Sequence, residues 1–256
     1  MLKSMYSGIS GMKANQTKMD VVGNNVANVG TTGFKKSNVR FADSLNQTMI
    51  YSTKPGANIG GVNIGQVGVG VKVSGIFKSV TQGSLQPTGR PTDLAIDGDG
   101  FFEITLKDGS KAYTRDGSFN IDSNGDLVAA DGSKVGDINI DLKTYTNFTI
   151  SKDGEVVGID KEGNETNIGT IPIITFSNPE GLEAIGGNMY VTSANSGEPL
   201  KDGQKGSVVQ GCIEMSNVDL SEEFTDMIVT TRAFQAASKV ITTSDELLQE
   251  IINLKR

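Results

Sequence analysis

The sequence predicts an α+β chain: a discontinuous module of N- and C-terminal coiled-coil-type helices, a Gly-rich extended linker and a central all-β domain. Three observations predict it. Apolar residues recur at alternating 3,4 spacing at both ends, Asp-Gly and Asn-Gly turns punctuate short β runs in the middle, and seven Gly fall between residues 49 and 76. The expected division is 1–45 plus 212–256 for the helical module, 46–82 for the linker and 83–211 for the β-domain.

At the N-terminus, Leu2, Met5, Ile9, Met12, Met19 and Val26 occupy six of eight seam positions, with Gln16 and Gly23 as the breaks. Gly8, Gly11 and Gly23 each weaken this helix by about 1 kcal/mol relative to Ala. It is therefore expected to be ordered only in an assembly. The run then stops at Asn24-Asn25-Val-Ala-Asn28-Val-Gly30-Thr-Thr-Gly33-Phe34. Asn24, Asn25 and Asn28 suit Asx turns, Gly30 and Gly33 permit positive φ, and Phe34 can anchor the exit by packing.

The linker holds the alternation Val67, Val69, Val71, Val73 and reads as extended or loosely stranded. Beyond it, turns at Asp108-Gly109, Asn124-Gly125, Asp131-Gly132, Asp153-Gly154 and Glu162-Gly163 separate alternating apolar runs, the pattern of successive hairpins.

The C-terminal helix starts at "DLSEEF", where Asp219 can cap, Glu222 completes a capping box and Glu223 suits the dipole. Phe224, Met227, Phe234, Ile241, Leu248 and Ile252 carry its seam, broken at Thr231, Ser238 and Asp245, and Ile228, Val240, Leu247 and Ile251 widen the stripe. Lys255 and Arg256 complement the far end of the dipole. A single apolar stripe usually lies on an ordinary core, but the β-rich middle offers no matching helical layer. The two end helices are expected to pack on each other, and the seam breaks point to contacts with further copies.

Composition narrows the chemistry. With no His there is no Ser-His-Asp triad, no Cys-His pair and no His metal ligand, and the single Cys212 allows no internal disulfide. A net charge of −7 argues against nucleic acid, and Lys35, Lys36 and Arg40 read as a short solvated face. No stretch reaches the roughly 18 apolar residues of a membrane span. The start of the chain has no continuous apolar region and no small-residue cleavage site, so it does not read as a cleavable secretory signal peptide, and any export is expected by another route. "DSNGDL" at 122–127 lacks the Gly and bidentate Glu of a calcium loop, and "DGDGFF" at 97–102 precedes a strand rather than a helix. Asp97 and Asp99 could serve a glycosidase, but acidic turn residues are ordinary in a Gly-rich β protein.

Residues 5–45, with "NNVANVGTTGFK", resemble the N-terminal signature of the bacterial flagellar rod and hook proteins. "LAIDGDGFFEI" and "AYTRDGSFNID" resemble the family's central β-domain, and "GCIEMSNVDLSEEFTDMIVTTRAFQAASKVITTSDELLQEIINLKR" its C-terminal helix. The resemblance implies terminal helices lining a tube with β-domains outside, a structural role in the basal body or hook without catalysis, and no cofactor. It also implies a helical homopolymer, neighbouring rod or hook proteins as partners, and the flagellar export apparatus. No nucleic acid and no membrane insertion are expected. The length and linker agree with distal-rod members, and "FADSL" and "GVGVKVSGI" read like a short hook protein, the alternative. A phage-tail or adhesin fibre subunit and a glycan-acting enzyme are the distant alternatives.

Overall fold

The computed structural model describes residues 2–56, 60–141, 145–162, 164–200 and 205–254. Lys255, Arg256 and Gly163 lie outside the described residues, as does the side chain of Leu2. The chain divides into two compact units, one of Met1–Val26, Ser37–Phe77 and Asp219–Arg256, the other of Ala27–Lys36 and Lys78–Val218.

In the first unit, α1 spans Leu2–Ala27 and α2 spans Leu220–Leu254. Asp219 starts α2 by accepting the Ser221 and Glu222 amides on Oδ1 at 2.8 and 3.3 Å, which satisfies two of the N–H groups a helix start leaves open. No Gly or Pro interrupts the 35 residues that follow. Four strands sit between the helices in sequence: β1 (Ser37–Asp43), β2 (Asn46–Ile50), β3 (Gly65–Gly68) and β4 (Val71–Lys78). β1 pairs with β4, and β2 pairs antiparallel with β3, Asn46 opposite Gly68. The stretch expected to be extended or loosely stranded thus closes into a hairpin and a second strand pair.

The second unit is all β. Its strands are β5 (Leu85–Pro87), β6 (Leu94–Asp97), β7 (Phe101–Thr105), β8 (Lys111–Thr114), β9 (Asn120–Ile121), β10 (Asp126–Val128), β11 (Lys134–Asn139), β12 (Tyr145–Ile150), β13 (Glu155–Asp160), β14 (Glu165–Thr170), β15 (Ile173–Ile174), β16 (Glu183–Gly186), β17 (Met189–Val191), β18 (Ser207–Gln210) and β19 (Cys212–Glu214). The main sheet runs β16-β17-β8-β7-β11-β10-β9, with β15 also on β7. β12-β13-β14 form a three-stranded sheet, and β18 pairs with β6 and β19 with β5.

Local turn chemistry sets this order. The Asp108-Gly109 turn joins β7 to β8, with the Gly109 amide donating to the Leu106 carbonyl at 2.9 Å, and the Asp153-Gly154 turn joins β12 to β13. Strand alternation then divides the core. Phe102 and Ile104 of β7 enter a cluster with Leu94, Phe119, Val135 and Ile171. Phe101, one residue out of phase, joins Tyr113, Phe176 and Tyr190 in an aromatic cluster on edge-to-face contacts of 4.8–5.9 Å.

Candidate assembly interface: the terminal helix pair and the chain exit

The helix pair is antiparallel. Ser4 lies beside Ser244, Gly8 beside Ile241, Gly11 beside Ala237, Lys18 beside Asp226 and Asn25 beside Glu223. On α1 the positions in contact follow 4, 8, 11, 18, 25, a heptad one residue earlier than the apolar line through Met5, Ile9, Met12, Met19 and Val26. On α2 the buried residues Glu223, Thr230 and Ser244 likewise stand one residue before Phe224, Thr231 and Asp245. One residue is about 100° around a helix, so the chain's own seam is a different line from the apolar one.

That seam is mostly small and polar, with Val22, 3% exposed, as its buried apolar member on α1. A Cβ on Gly8 would stand 3.0 Å from Ile241 Cγ1 and 3.2 Å from the Ala237 carbonyl oxygen, so glycine lets the two backbones approach. Lys18 Nζ meets Asp226 Oδ2 at 3.0 Å. The apolar line is left at the side. Met5, Met12, Met19, Val26, Met227, Phe234, Ile241 and Leu248 are half-buried, and Ile9, Phe224 and Ile252 are 37, 50 and 64% exposed. Among the large apolar residues expected to join the two helices, Ile241 does touch α1, at Gly8.

The exit is built from two anchors. Asn24 and Asn25 lie inside α1, which runs on to Ala27, and neither has positive φ. Asn25, 1% exposed, accepts the Ser37 amide at 3.0 Å and donates to the Ser37 carbonyl at 2.9 Å and to Glu223 Oε2 at 3.1 Å. The chain therefore leaves this unit and re-enters it at adjacent points, pinned by one side chain.

Within the second unit, Asn28 accepts the Thr31 amide on its carbonyl at 3.1 Å and the Thr31 hydroxyl on Oδ1 at 3.1 Å. Gly33 has φ +66°, and a Cβ there would fall 2.6 Å from the Asp116 amide nitrogen, so this position requires glycine. Gly30 does not: its backbone is not left-handed and a Cβ would meet open space. Phe34 is half-buried, and its carbonyl accepts the Asn217 amide at 3.4 Å.

Lys35 corrects the reading of a solvated basic face. Its side chain is 1% exposed, and Nζ meets Glu214 Oε1 at 2.5 Å and the Thr81 carbonyl at 2.8 Å. Arg115, 2% exposed, reaches Glu214 Oε2 at 3.2 Å and the Gly98 carbonyl at 2.8 Å. Glu214 also accepts the Gly83 amide at 2.8 Å, and its backbone carbonyl accepts the Gly33 amide at 2.8 Å. Burial pushes the Lys35 ammonium below its ordinary value, against the pull of Glu214 and with a smaller push from Arg115. Asn217 completes the anchor, accepting the Lys36 amide at 2.8 Å and donating to the Ser79 carbonyl at 2.9 Å. Lys35, Arg115, Glu214 and Asn217 fall within the three stretches that resemble the family, but nothing in the sequence shows that they meet. The one signal is a carboxylate set between Ile213 and Met215.

The other candidates flank the second anchor, Asp97 and Asp99 on either side of Gly98 and Cys212 two residues before Glu214. Asp97 and Asp99 are exposed at the turn between β6 and β7, Asp97 accepting from Gln82 Nε2 at 3.2 Å. Cys212 is half-buried in β19. Among the described residues, no group of three or more His, Cys, Asp or Glu is placed to hold a metal ion, and no helix is long and apolar enough to cross a membrane.

Comparison with known proteins finds relatives along the whole chain. Residues 5–35 match the description "Flagella basal body rod protein", 95–158 "Flagellar hook protein FlgE/F/G D1 domain" and 209–254 "Flagellar basal body rod FlgEFG protein C-terminal". The chain is 51% identical over 265 residues to the flagellar basal-body rod protein FlgG of Bacillus subtilis, and 43% identical over 265 residues to that of Borreliella burgdorferi, with all of each chain covered. It is 28% identical to the flagellar hook protein FlgE of Borreliella burgdorferi, again with all of both chains covered, in an alignment that runs to 444 positions. The first and last matches fall on the helix pair and its exit, and the middle one on the β unit. This chain belongs to the flagellar rod and hook protein family.

Proposed function

We propose that the chain is a structural subunit of the distal rod, polymerising helically with copies of itself into the axial tube of the flagellar basal body, with the α1–α2 pair forming the tube wall. The observation that carries this reading is the offset between the two heptads. The small, polar line joins the helices of one chain, and the large apolar line beside it stays open to neighbours. A stable monomer would bury Ile9, Phe224 and Ile252 rather than leave them at 37–64% exposure. Each subunit meets the next along the same lines, a heterologous contact that propagates into a helix instead of closing.

Rod rather than hook is supported by length. The rod relatives align over 265 positions with the 256 residues of this chain, whereas the hook alignment needs 444. The role calls for no catalysis and no cofactor. Other axial proteins of the flagellum are its partners at either end of the segment, and it reaches the growing tip through the flagellar export apparatus.

The test is electron microscopy of the purified chain at rising concentration. Straight tubes are expected from the intact chain. Phe224→Asp should abolish them while leaving the circular dichroism spectrum unchanged, because the side chain is 50% exposed in the single chain. An intact chain that stays monomeric at every concentration overturns the reading, and curved, flexible tubes turn it to hook.

A further inference from the structure

The last two turns of α2 run past the start of α1. The helices are antiparallel and Ser4 lies beside Ser244, so, among the described residues, α2 from Leu247 on has no turn of α1 alongside it. These turns are apolar nonetheless. Leu247, Ile251 and Leu254 share one side at 4,3 spacing and are 52, 50 and 86% exposed. Glu250, also exposed, stands among them.

An answering face lies on α1. Tyr6 and Ile9 are 65 and 37% exposed, and Lys13 follows one turn after Ile9, exposed as well. Charge favours the match. α2 is net acidic and α1 net basic. Lys18 is taken by Asp226 and Lys3 by Gln47, while neither Lys13 nor Glu250 has a side-chain partner among the described residues. The two cannot meet within one chain: Gly11 is level with Ala237, and Glu250 lies about 20 Å further along α2 at 1.5 Å per residue.

Resting on the rod-subunit reading above, we propose that the C-terminal end of α2 docks on the α1 face of a second copy displaced along the helix axis. Leu247, Ile251 and Leu254 pack against Tyr6 and Ile9, and Glu250 pairs with Lys13. The patches are different surfaces of one chain, so every subunit gives one and receives one. The contact is heterologous and fixes an axial stagger between neighbours.

A charge exchange tests this. Glu250→Lys and Lys13→Glu each place like charges together at the contact and should raise the critical concentration for polymerisation about three- to tenfold at low salt. The double variant Lys13→Glu/Glu250→Lys restores the pair between copies and should return the critical concentration to near that of the parent, with the single-variant defects shrinking at high salt. Both positions are exposed, and unchanged helical circular dichroism confirms that each variant folds. Single variants that polymerise like the parent, or a double variant no better than either single, overturn the proposal while leaving the rod-subunit reading intact. Failure of the parent itself to polymerise overturns that reading.

Discussion

Asn25 and Ser37 are joined by two hydrogen bonds, the amide side chain of one pairing with the backbone N–H and C=O of the other at 3.0 and 2.9 Å. An excursion of ten residues thus leaves and re-enters one unit through a single clip. The Asn side-chain amide presents a donor and an acceptor on separate atoms of one short planar group, and Gln carries the same group one carbon further out.

Asn25→Asp should therefore do more harm than Asn25→Ala. The alanine leaves Ser37 unpaired and takes a donor from buried Glu223, a loss of about 2–3 kcal/mol. The aspartate keeps an acceptor for Ser37 but sets a second carboxylate against Glu223. Urea unfolding followed by helical circular dichroism should rank the variants parent, alanine, aspartate in falling stability.

Gly8 and Gly23 are expected to respond to alanine with opposite signs. Both cost α1 about 1 kcal/mol of intrinsic propensity, and Gly23→Ala should recover it because a Cβ there meets nothing within 4 Å. Gly8→Ala should lose more than it gains, since its Cβ would press on the Ala237 carbonyl, a backbone atom that cannot turn aside. Trypsin cleavage at Lys13 in dilute protein reports the outcome: slower with Gly23→Ala, faster with Gly8→Ala.

The pair of glycines shows where sequence reasoning reached its limit. The existence of both helices, the start of α2 at Asp219 and the hairpin at Asp108-Gly109 were legible because their causes are local: a cap, a period, a turn dipeptide. The one-residue offset of the seam was not. Small residues such as Ser4, Gly8 and Ala237 carry no apolar signal, so the eye follows Met5, Ile9 and Met12, which lie beside the contact. Gly8 looked like a pure cost because its benefit is a neighbour more than two hundred residues away. Lys35 and Glu214 are 179 positions apart, and nothing near either announces the other.

Tyr190 should make the chain alkali-sensitive. Burial pushes its phenol up to about 12, opposed by Arg115 and helped by Glu214. An unfolded tyrosine releases its proton near pH ~10. Between these values the folded state holds a proton that the unfolded state has lost, so the contribution is full below pH ~10 and disappears as the pH rises toward 12. Burial pushes Tyr113 up as well, so tyrosinate absorbance should show more than one late-titrating group among the five tyrosines, and Tyr190→Phe should remove one of them and reduce the alkaline loss of stability.

The Lys35–Glu214–Arg115 cluster gives the largest expected effect of a single substitution. Glu214 faces two cations with its side chain at 0% exposure, so the three charges hold one another out of water with almost no solvent screening. Lys35→Met removes one cation and leaves Glu214 paired with Arg115 and the Gly83 amide, a balanced remainder, and should cost about 1–3 kcal/mol. Glu214→Gln leaves Lys35 and Arg115 buried together without a counter-charge and should cost about 3–5 kcal/mol. The order matters more than the size. If the cluster served only to fill space, the nearly isosteric Gln would be the milder change and Met the harsher. Calorimetry of the β unit's unfolding in both variants decides between these orders, and a Glu214→Gln protein as stable as Lys35→Met would show that the exit segment is held by its backbone hydrogen bonds alone.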